Sequence, residues 1–229
     1  MIDIHAHILP CIDDGSTSLS QSFELLNECV NQGVSDLVLT PHRRNDYKVP
    51  ALDTRAQFEK FDTQAKEKGI PINLYLGQEV FIDKDYKALF KSKDFLTFAD
   101  SKYVLIEFSV SEQEDVSEAV YEIARMGYSP IIAHVERYPY LTVSDIFEIK
   151  DLGGLIQVNA DSIVGKYKRL FKKRIKELFK NDLVDFVASD VHFGRNNCMQ
   201  KAREYVGKKY GEEIMNKVFI ENAKNILKG

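Results

Sequence analysis

Cysteine is scarce in this chain. Cys11, Cys29 and Cys198 are the only three in 229 residues, too few and too scattered for a disulfide framework or a thiolate zinc site. That usage suits a reducing compartment, and the expected location is cytoplasmic. No apolar run approaches the roughly 18 residues of a membrane span, so no direct span is expected. No basic segment followed by an apolar one opens the chain, so no signal peptide is expected. Positive charge is not in excess: 31 Lys and Arg face 35 Asp and Glu, a formal net charge of −4. That balance argues against nucleic acid as a partner. No Pro/Gly/Ser-rich linker, composition shift or low-complexity stretch divides the chain, so one domain over residues 1–229 is expected. Neither a G-x-x-x-x-G-K-[ST] phosphate loop nor a G-x-S-x-G elbow occurs. Cysteine-dependent phosphatases need an arginine six residues after the nucleophile, and Thr17, Ser35 and Glu204 stand there instead.

What the chain does have is alternation. Short apolar runs rich in β-branched residues fall at about 2–5, 36–40, 72–78, 103–107, 130–134, 154–158 and 184–189. Amphipathic segments separate them near 52–68, 84–91, 113–126, 143–152, 165–180, 197–210 and 211–227. A first helix is marked by Leu19, Phe23, Leu26 and Val30 on one face, with Ser18 and Gln21 as a capping box and Gly33 as its C-terminal cap. Seven strands alternating with helices imply parallel βα units. They close as a distorted TIM-like (βα)7 barrel or lie open as a doubly wound sheet.

The placement of imidazoles and carboxylates favours the ring. His5 and His7 end the first strand, His42 the second, His134 the fifth and His192 the last, while Glu79, Glu107 and Asp190 hold the same kind of position. Residues two apart on an extended chain face the same way, so His5 and His7 can reach one ion. Asp190 and His192 repeat that spacing on the last strand. A carboxylate at the end of an apolar strand is costly to bury unless paired or bound to a cation. Imidazole and carboxylate without thiolate suit Mn, Fe(II) or Zn. Such multi-ion sites activate water and clamp a phosphoryl group. Arg137 and Arg195 each follow a strand-end histidine by three residues, where a guanidinium can grip phosphate oxygens bidentately.

The segments Ile2-Asp3-Ile4-His5-Ala6-His7, Asp13-Asp14-Gly15, Thr40-Pro41-His42, Gly77-Gln78-Glu79, Leu105-Ile106-Glu107, Ala133-His134-Val135-Glu136-Arg137-Tyr138 and Ala188-Ser189-Asp190-Val191-His192 resemble, in order, the motifs of the polymerase-and-histidinol-phosphatase (PHP) superfamily. In detail they resemble its bacterial capsule and exopolysaccharide branch of metal-dependent tyrosine-protein phosphatases. The resemblance implies a PHP-type barrel and a three-ion site, usually manganese, with iron or zinc as alternatives. It also implies hydrolysis of phosphotyrosine on a membrane-associated bacterial tyrosine kinase that controls capsule or exopolysaccharide synthesis. By it the ligands are His5, His7, Asp14, His42, Glu79, Glu107, His134, Asp190 and His192, with Arg137 and Arg195 on the phosphate. The expected chemistry is in-line attack by a metal-activated hydroxide with no phosphoenzyme. Val135, Arg43 and Phe81 depart from the family's usual residues, and none is a ligand.

Three further expectations follow from the residues. Eight basic residues lie between Lys166 and Lys180 with apolar ones at helical spacing, which reads as a barrel helix with a solvated basic face or as a dock for an acidic tail or a membrane surface. Tyr138 and Tyr140 could stack on an aromatic substrate ring. Cys11 reads as a small loop filler. The rival functions are a small-molecule phosphatase of histidinol-phosphate type and a non-catalytic, metal-binding regulator.

Overall fold

Parallel strands need a crossover to return to the same end, and helices supply it throughout. The structure, a computed structural model, describes residues 1–165 and 169–228. Its strands are β1 (Ile2–Ala6), β2 (Asp36–Leu39), β3 (His42–Arg43), β4 (Asn73–Leu76), β5 (Glu79–Phe81), β6 (Tyr103–Glu107), β7 (Ser129–Ile132), β8 (Leu155–Asn159) and β9 (Phe186–Ala188). Every ladder is parallel, in the orders β1-β2-β4 and β3-β5-β6-β7-β8-β9. β3 prolongs the line of β2 and β5 that of β4. Gly77 N–H donates to Leu39 O (2.9 Å) and Glu79 N–H to Pro41 O (3.2 Å), carrying the pairing across both breaks. The ring closes between the ends of the chain. Asp190 N–H donates to His5 O (2.9 Å) and His7 N–H to Val191 O (3.0 Å). Among the described residues nine strands therefore occupy the seven expected staves of a distorted α/β barrel.

The two split staves differ from the unbroken strands expected at 36–40 and 72–78. Pro41 has no N–H to give to a ladder. Gly77 lets the Phe98 ring in: a Cβ there would lie 2.4 Å from Phe98 Cδ1.

Side-chain alternation divides the apolar residues into two cores. Ile2, Ile4, Val38, Phe98, Leu105, Ile131, Ala133, Phe186 and Ala188 fill the barrel, and Ala223 and Ile226 pack among them. Their neighbours Leu37, Leu39, Val104, Ile106, Ile132, Val158 and Val187 face outward, into the layer shared with the helices.

The helices are α1 (Leu19–Asn31), α2 (Ala51–Glu67), α3 (Tyr86–Ser92), α4 (Val116–Arg125), α5 (Val143–Asp151), α6 (Ala160–Val164), α7 (Arg169–Lys180), α8 (Met199–Tyr210), α9 (Glu212–Asn216) and α10 (Asn222–Leu227). The helix expected at 165–180 corresponds to α7, and α6 precedes it; Lys166, Tyr167 and Lys168 lie outside the described residues. The helix expected at 211–227 is α9 and α10 joined by a π-turn at Lys217–Glu221. α1 buries Ser22, Leu25, Leu26 and Cys29, a face rotated from the expected Leu19, Phe23, Leu26 and Val30. Two small residues explain the rotation, because Ser22 Oγ donates to Ser16 Oγ (2.9 Å) and Cys29 Sγ accepts from Asn197 (3.5 Å). Ser18 caps α1 by accepting from Gln21 N–H (3.3 Å), but the Gln21 side chain turns to Thr17 rather than completing the box.

Candidate metal centre

A bulge aims the first two histidines. The β1–β2 register advances three residues on β1, Asp3 to Ala6, against two on β2, Leu37 to Leu39. The extra residue shifts the parity of the strand. Ile2 and Ile4 face the barrel interior before the bulge, and His5 and His7 face it afterwards, while Ala6 and Ile8 join the outer core. Asp3 Oδ1 holds the bulge, accepting from His5 N–H (3.3 Å) and Ser189 N–H (3.0 Å) on the last stave. At two other strand ends a left-handed residue does the turning: His134 has φ 34° and Asp190 φ 51°.

All nine expected ligands converge. Glu79 sits at the centre, with Oε1 3.3 Å from His5 Nε2 and 3.1 Å from His134 Nε2. Its Oε2 lies 3.2 Å from His7 Nε2 and 3.0 Å from His42 Nδ1. Glu107 Oε1 is 3.5 Å from His134 Nε2. Asp190 Oδ1 is 3.5 Å from His5 Nε2, and Asp14 Oδ1 is 3.3 Å from His192 Nε2. Three groups bring their donor atoms within 4.8 Å of one another: His7, Asp14, His42 and His192; His5, His7 and Asp190; and His42, Glu79 and Glu107.

The hydrogen bonds around this cluster fix which nitrogen is free on the rings of His5, His7 and His192. Gln157 Oε1 accepts from His134 N–H (2.9 Å), and that orients its amide, so His5 Nδ1 must donate to the same oxygen (3.1 Å). His7 Nδ1 donates to Asp13 Oδ2 (2.8 Å), and His192 Nδ1 to the Asp190 carbonyl (3.0 Å). Each ring therefore turns Nε2 toward the centre, and the Nε2 atoms of His5 and His7 lie 3.1 Å apart. Two neutral nitrogens would oppose their lone pairs at that distance. Either a proton or a cation between them removes the repulsion. His42 Nδ1 and Glu107 Oε2 are buried without a hydrogen-bond partner, although His42 Nδ1 is close to Glu79. His42 Nδ1 and Glu107 Oε2 lie 3.8 Å apart, too far for a hydrogen bond, and with Glu79 these residues form one of the three donor groups. The donor set and its geometry fit divalent cations.

Charge and burial oppose each other at most of these groups. Burial alone would raise the Glu79 carboxyl, but His5, His42 and His134 hold it well below the usual range. Asp190 is likewise lowered against its burial, by His5 and Arg137. His134 is pushed up to about 10 because Glu107 and Glu79 outweigh its desolvation. His7 rises well above the ordinary value as Asp13 and Glu79 overcome burial, whereas burial and the neighbouring His7 lower His192.

The two arginines differ. Arg137 is fixed, its Nη1 3.0 Å from Asp190 Oδ2. Arg195 is exposed and ties to the site through its backbone, donating to His192 O (3.0 Å). Tyr138 does not face a substrate: it is fully buried, its hydroxyl accepting from Phe108 N–H (3.1 Å) beside Glu107. Burial of this ring between two strand ends makes it a strut, and only Tyr140 keeps part of its surface open. Arg43 is tied to Asp94 (2.8 Å), Val135 is core, and Cys11 only spans its own loop to Thr17 O (3.0 Å).

Four supporting residues escaped the reading of the chain. Asp13 stands behind His7. Gln157 and Asn159 form a relay, Gln157 Nε2 to Asn159 Oδ1 (2.8 Å) and Asn159 Nδ2 to Asp190 Oδ2 (2.8 Å). Two neutral amides in an apolar strand were the available signal, since buried amides need partners. Arg174, on α7, turns inward and donates to the carbonyls of Tyr138 and Leu141, bracing the loop that carries Arg137.

Comparison with known proteins identifies the family. The profile of a family described as capsular polysaccharide synthesis, CpsB/CapC, matches residues 1–228. The tyrosine-protein phosphatase CpsB of Streptococcus agalactiae is 34% identical over 240 residues, covering 100% of this chain and 98% of that one. Crystal structures of YwqE from Bacillus subtilis and CpsB from Streptococcus pneumoniae are described as unique metal-dependent tyrosine phosphatases. This match has a TM-score of 0.92 at 30% identity, over 100% of this chain and 94% of that one. A histidinol phosphate phosphatase from Lactococcus lactis shares the fold at 16% identity, with a TM-score of 0.60 over 92% of this chain and 93% of that one.

Proposed function

Because this chain belongs to the CpsB/CapC capsular polysaccharide synthesis family, we infer that it is a metal-dependent tyrosine-protein phosphatase, one catalytic domain over residues 1–229. The observation that carries this reading is the pair of inward Nε2 atoms on His5 and His7, 3.1 Å apart with both Nδ1 protons already committed. The ligands are His5, His7, Asp14, His42, Glu79, Glu107, His134, Asp190 and His192; all but His134 fall in three overlapping groups suited to three ions, and His134 adjoins them through Glu79 and Glu107. Manganese is the metal we favour, with iron or zinc as alternatives. Bound ions supply Lewis acidity and activate water for attack on phosphorus.

The chain's own residues do the positioning. Gln157 keeps a proton on His5 Nδ1 and Asp13 keeps one on His7 Nδ1, so both rings stay in the ligating tautomer. Arg137, anchored on Asp190, and Arg195, at the rim, bind phosphate oxygens and offset the charge that develops on them. No thiol takes part, since Cys11, Cys29 and Cys198 are free and none has an arginine six residues on. The substrate is a phosphotyrosine-bearing protein, by family context a membrane-associated tyrosine kinase of capsule or exopolysaccharide synthesis, met in the cytoplasm. Among the described residues no helix is long and apolar enough to cross a membrane.

The test strips the protein of metal, restores Mn²⁺, and assays a phosphotyrosyl peptide beside histidinol phosphate, with His7→Ala as control. Activity on the peptide that returns with metal and is lost in His7→Ala is expected. Turnover of histidinol phosphate alone would move the assignment to a small-molecule phosphatase. Full metal loading with no turnover of either would make the chain a regulator.

A further inference from the structure

α7 carries six basic residues and one acid, Glu177. Burial divides them. Arg174 is drawn under the 138–141 loop, while Lys172, Lys173, Lys176 and Lys180 are exposed. Lys173 has Glu177 at 3.9 Å. Lys172 and Lys176 make no ion pair with a described residue. They border a cleft of about 190 Å³ whose opposite wall is Tyr205, Lys209 and Tyr210 of α8. Lys209 Nζ donates to Tyr205 OH (2.5 Å) and lies 4.8 Å and 5.5 Å from the ring centroids of Tyr205 and Tyr210. Three ammonium groups thus share one cleft that no carboxylate lines among the described residues. Whole small-molecule pockets run from roughly 300 to 1,000 Å³, so this one suits the end of a single side chain.

Its position relates it to the metal centre. Ile163 and Val164 line the cleft at the end of α6, which begins directly after Asn159, the residue bonded to Asp190. Four to five helical residues separate the two, about 6–8 Å along the axis. The cleft beside Tyr140 is of opposite sign: Glu114, Asp115, Asp145 and Glu148 line it, with no Lys or Arg among its described lining residues.

We propose that the α7–α8 cleft docks an acidic side chain of the protein substrate, on the same peptide and a few residues from the phosphotyrosine. The proposal rests on the phosphatase reading above. Charge complementarity selects the acid. The acidic cleft beside Tyr140 repels it and so sets the direction of the peptide across the rim, acidic flank toward α7.

The experiment compares kcat/KM for two phosphotyrosyl peptides that differ only in an acidic or a Gln/Asn flank. Wild type is run against Lys172→Gln/Lys176→Gln and, separately, Lys209→Gln, with p-nitrophenyl phosphate as the flank-free control. Wild type is expected to favour the acidic flank about three- to tenfold at low salt, a preference that fades near 0.5 M salt. Both variants should lose most of it while turning over p-nitrophenyl phosphate normally. Equal rates on the two peptides in wild type, or a preference that survives in both variants, would overturn the proposal. So would binding to phosphatidylserine vesicles that the variants abolish, if wild type shows no preference between peptides. Failure of wild type on p-nitrophenyl phosphate and both peptides sinks the phosphatase reading instead. Anisotropy with the acidic-flank peptide then decides the cleft alone: it stands if wild type binds and the variants do not.

Discussion

Replacing Asp13 by Asn separates a residue that orients a ligand from one that is a ligand. Asp13 is buried, and every neighbour of its carboxylate is a donor. Oδ2 accepts from His7 Nδ1 (2.8 Å) and His42 N–H (3.0 Å), and Oδ1 from Gly15 N–H (2.9 Å). An amide keeps only one of the two oxygens. In either orientation its NH2 group meets a donor, and an unsatisfied buried donor costs about 1–3 kcal/mol. If the oxygen stays on Gly15, the proton on His7 Nδ1 is no longer held and the ring can take the other tautomer. Loss of such an outer partner typically weakens metal binding about 10- to 100-fold, or about 1.4–2.8 kcal/mol. We expect Asp13→Asn to bind the same number of ions as wild type, by elemental analysis after saturation, at an affinity lowered by that factor in calorimetric titration. Activity should return at high metal concentration. A loss of one ion per chain at saturation would make Asp13 a ligand and refute the reasoning. Unchanged affinity would show that its bond to His7 does not orient the ring.

Proton and metal compete for the same nitrogens, which fixes two opposite pH dependences. In the metal-free protein His134 is raised to about 10 and His7 is raised also. The stability they contribute is full below their ordinary value near 6.5 and is lost as pH rises through the folded-state values. The Tm of the chelator-treated protein should therefore fall between pH 6.5 and 10, while metal affinity rises over the same range as the imidazoles lose their protons. Scanning calorimetry at several pH values with and without chelator checks both; a flat or rising Tm without metal would contradict the first. Arg174→Gln removes charged donors from the carbonyls of Tyr138 and Leu141. It should cost about 2 kcal/mol of stability and lower kcat through the loop bearing Arg137. An unchanged denaturation midpoint would mean that the guanidinium is solvated.

The ligands were legible because their types are conspicuous at strand ends: His42, Glu79 or Glu107 after an apolar run has few inexpensive structural uses. The number of staves was legible for a related reason, since alternation of short β-branched runs with helical segments survives uncertain boundaries. Asp13 and Asp14 are adjacent carboxylates in one loop, and only coordinates tell that one faces His7 from behind and the other faces His42 and His192. The β1 bulge leaves no mark in composition. Tyr138 reads as a surface aromatic until the barrel buries it. Gln157 and Asn159 carry no charge, yet their amides fix the tautomer of His5 and the orientation of Asp190.

The seam between β1 and β9 sets a time as well as a place. Asp3 receives the Ser189 amide across 186 positions of sequence, and two of the three donor groups need a residue from the last stave, His192 or Asp190. Only His42, Glu79 and Glu107 can meet earlier. A chain emerging from the ribosome can thus present at most one partial metal site until more than four-fifths of it has been made. Contacts so distant in sequence are slow to form. Closure of the seam and completion of the reactive centre are then one late event, and a prematurely terminated chain lacking β9 has no partly active form.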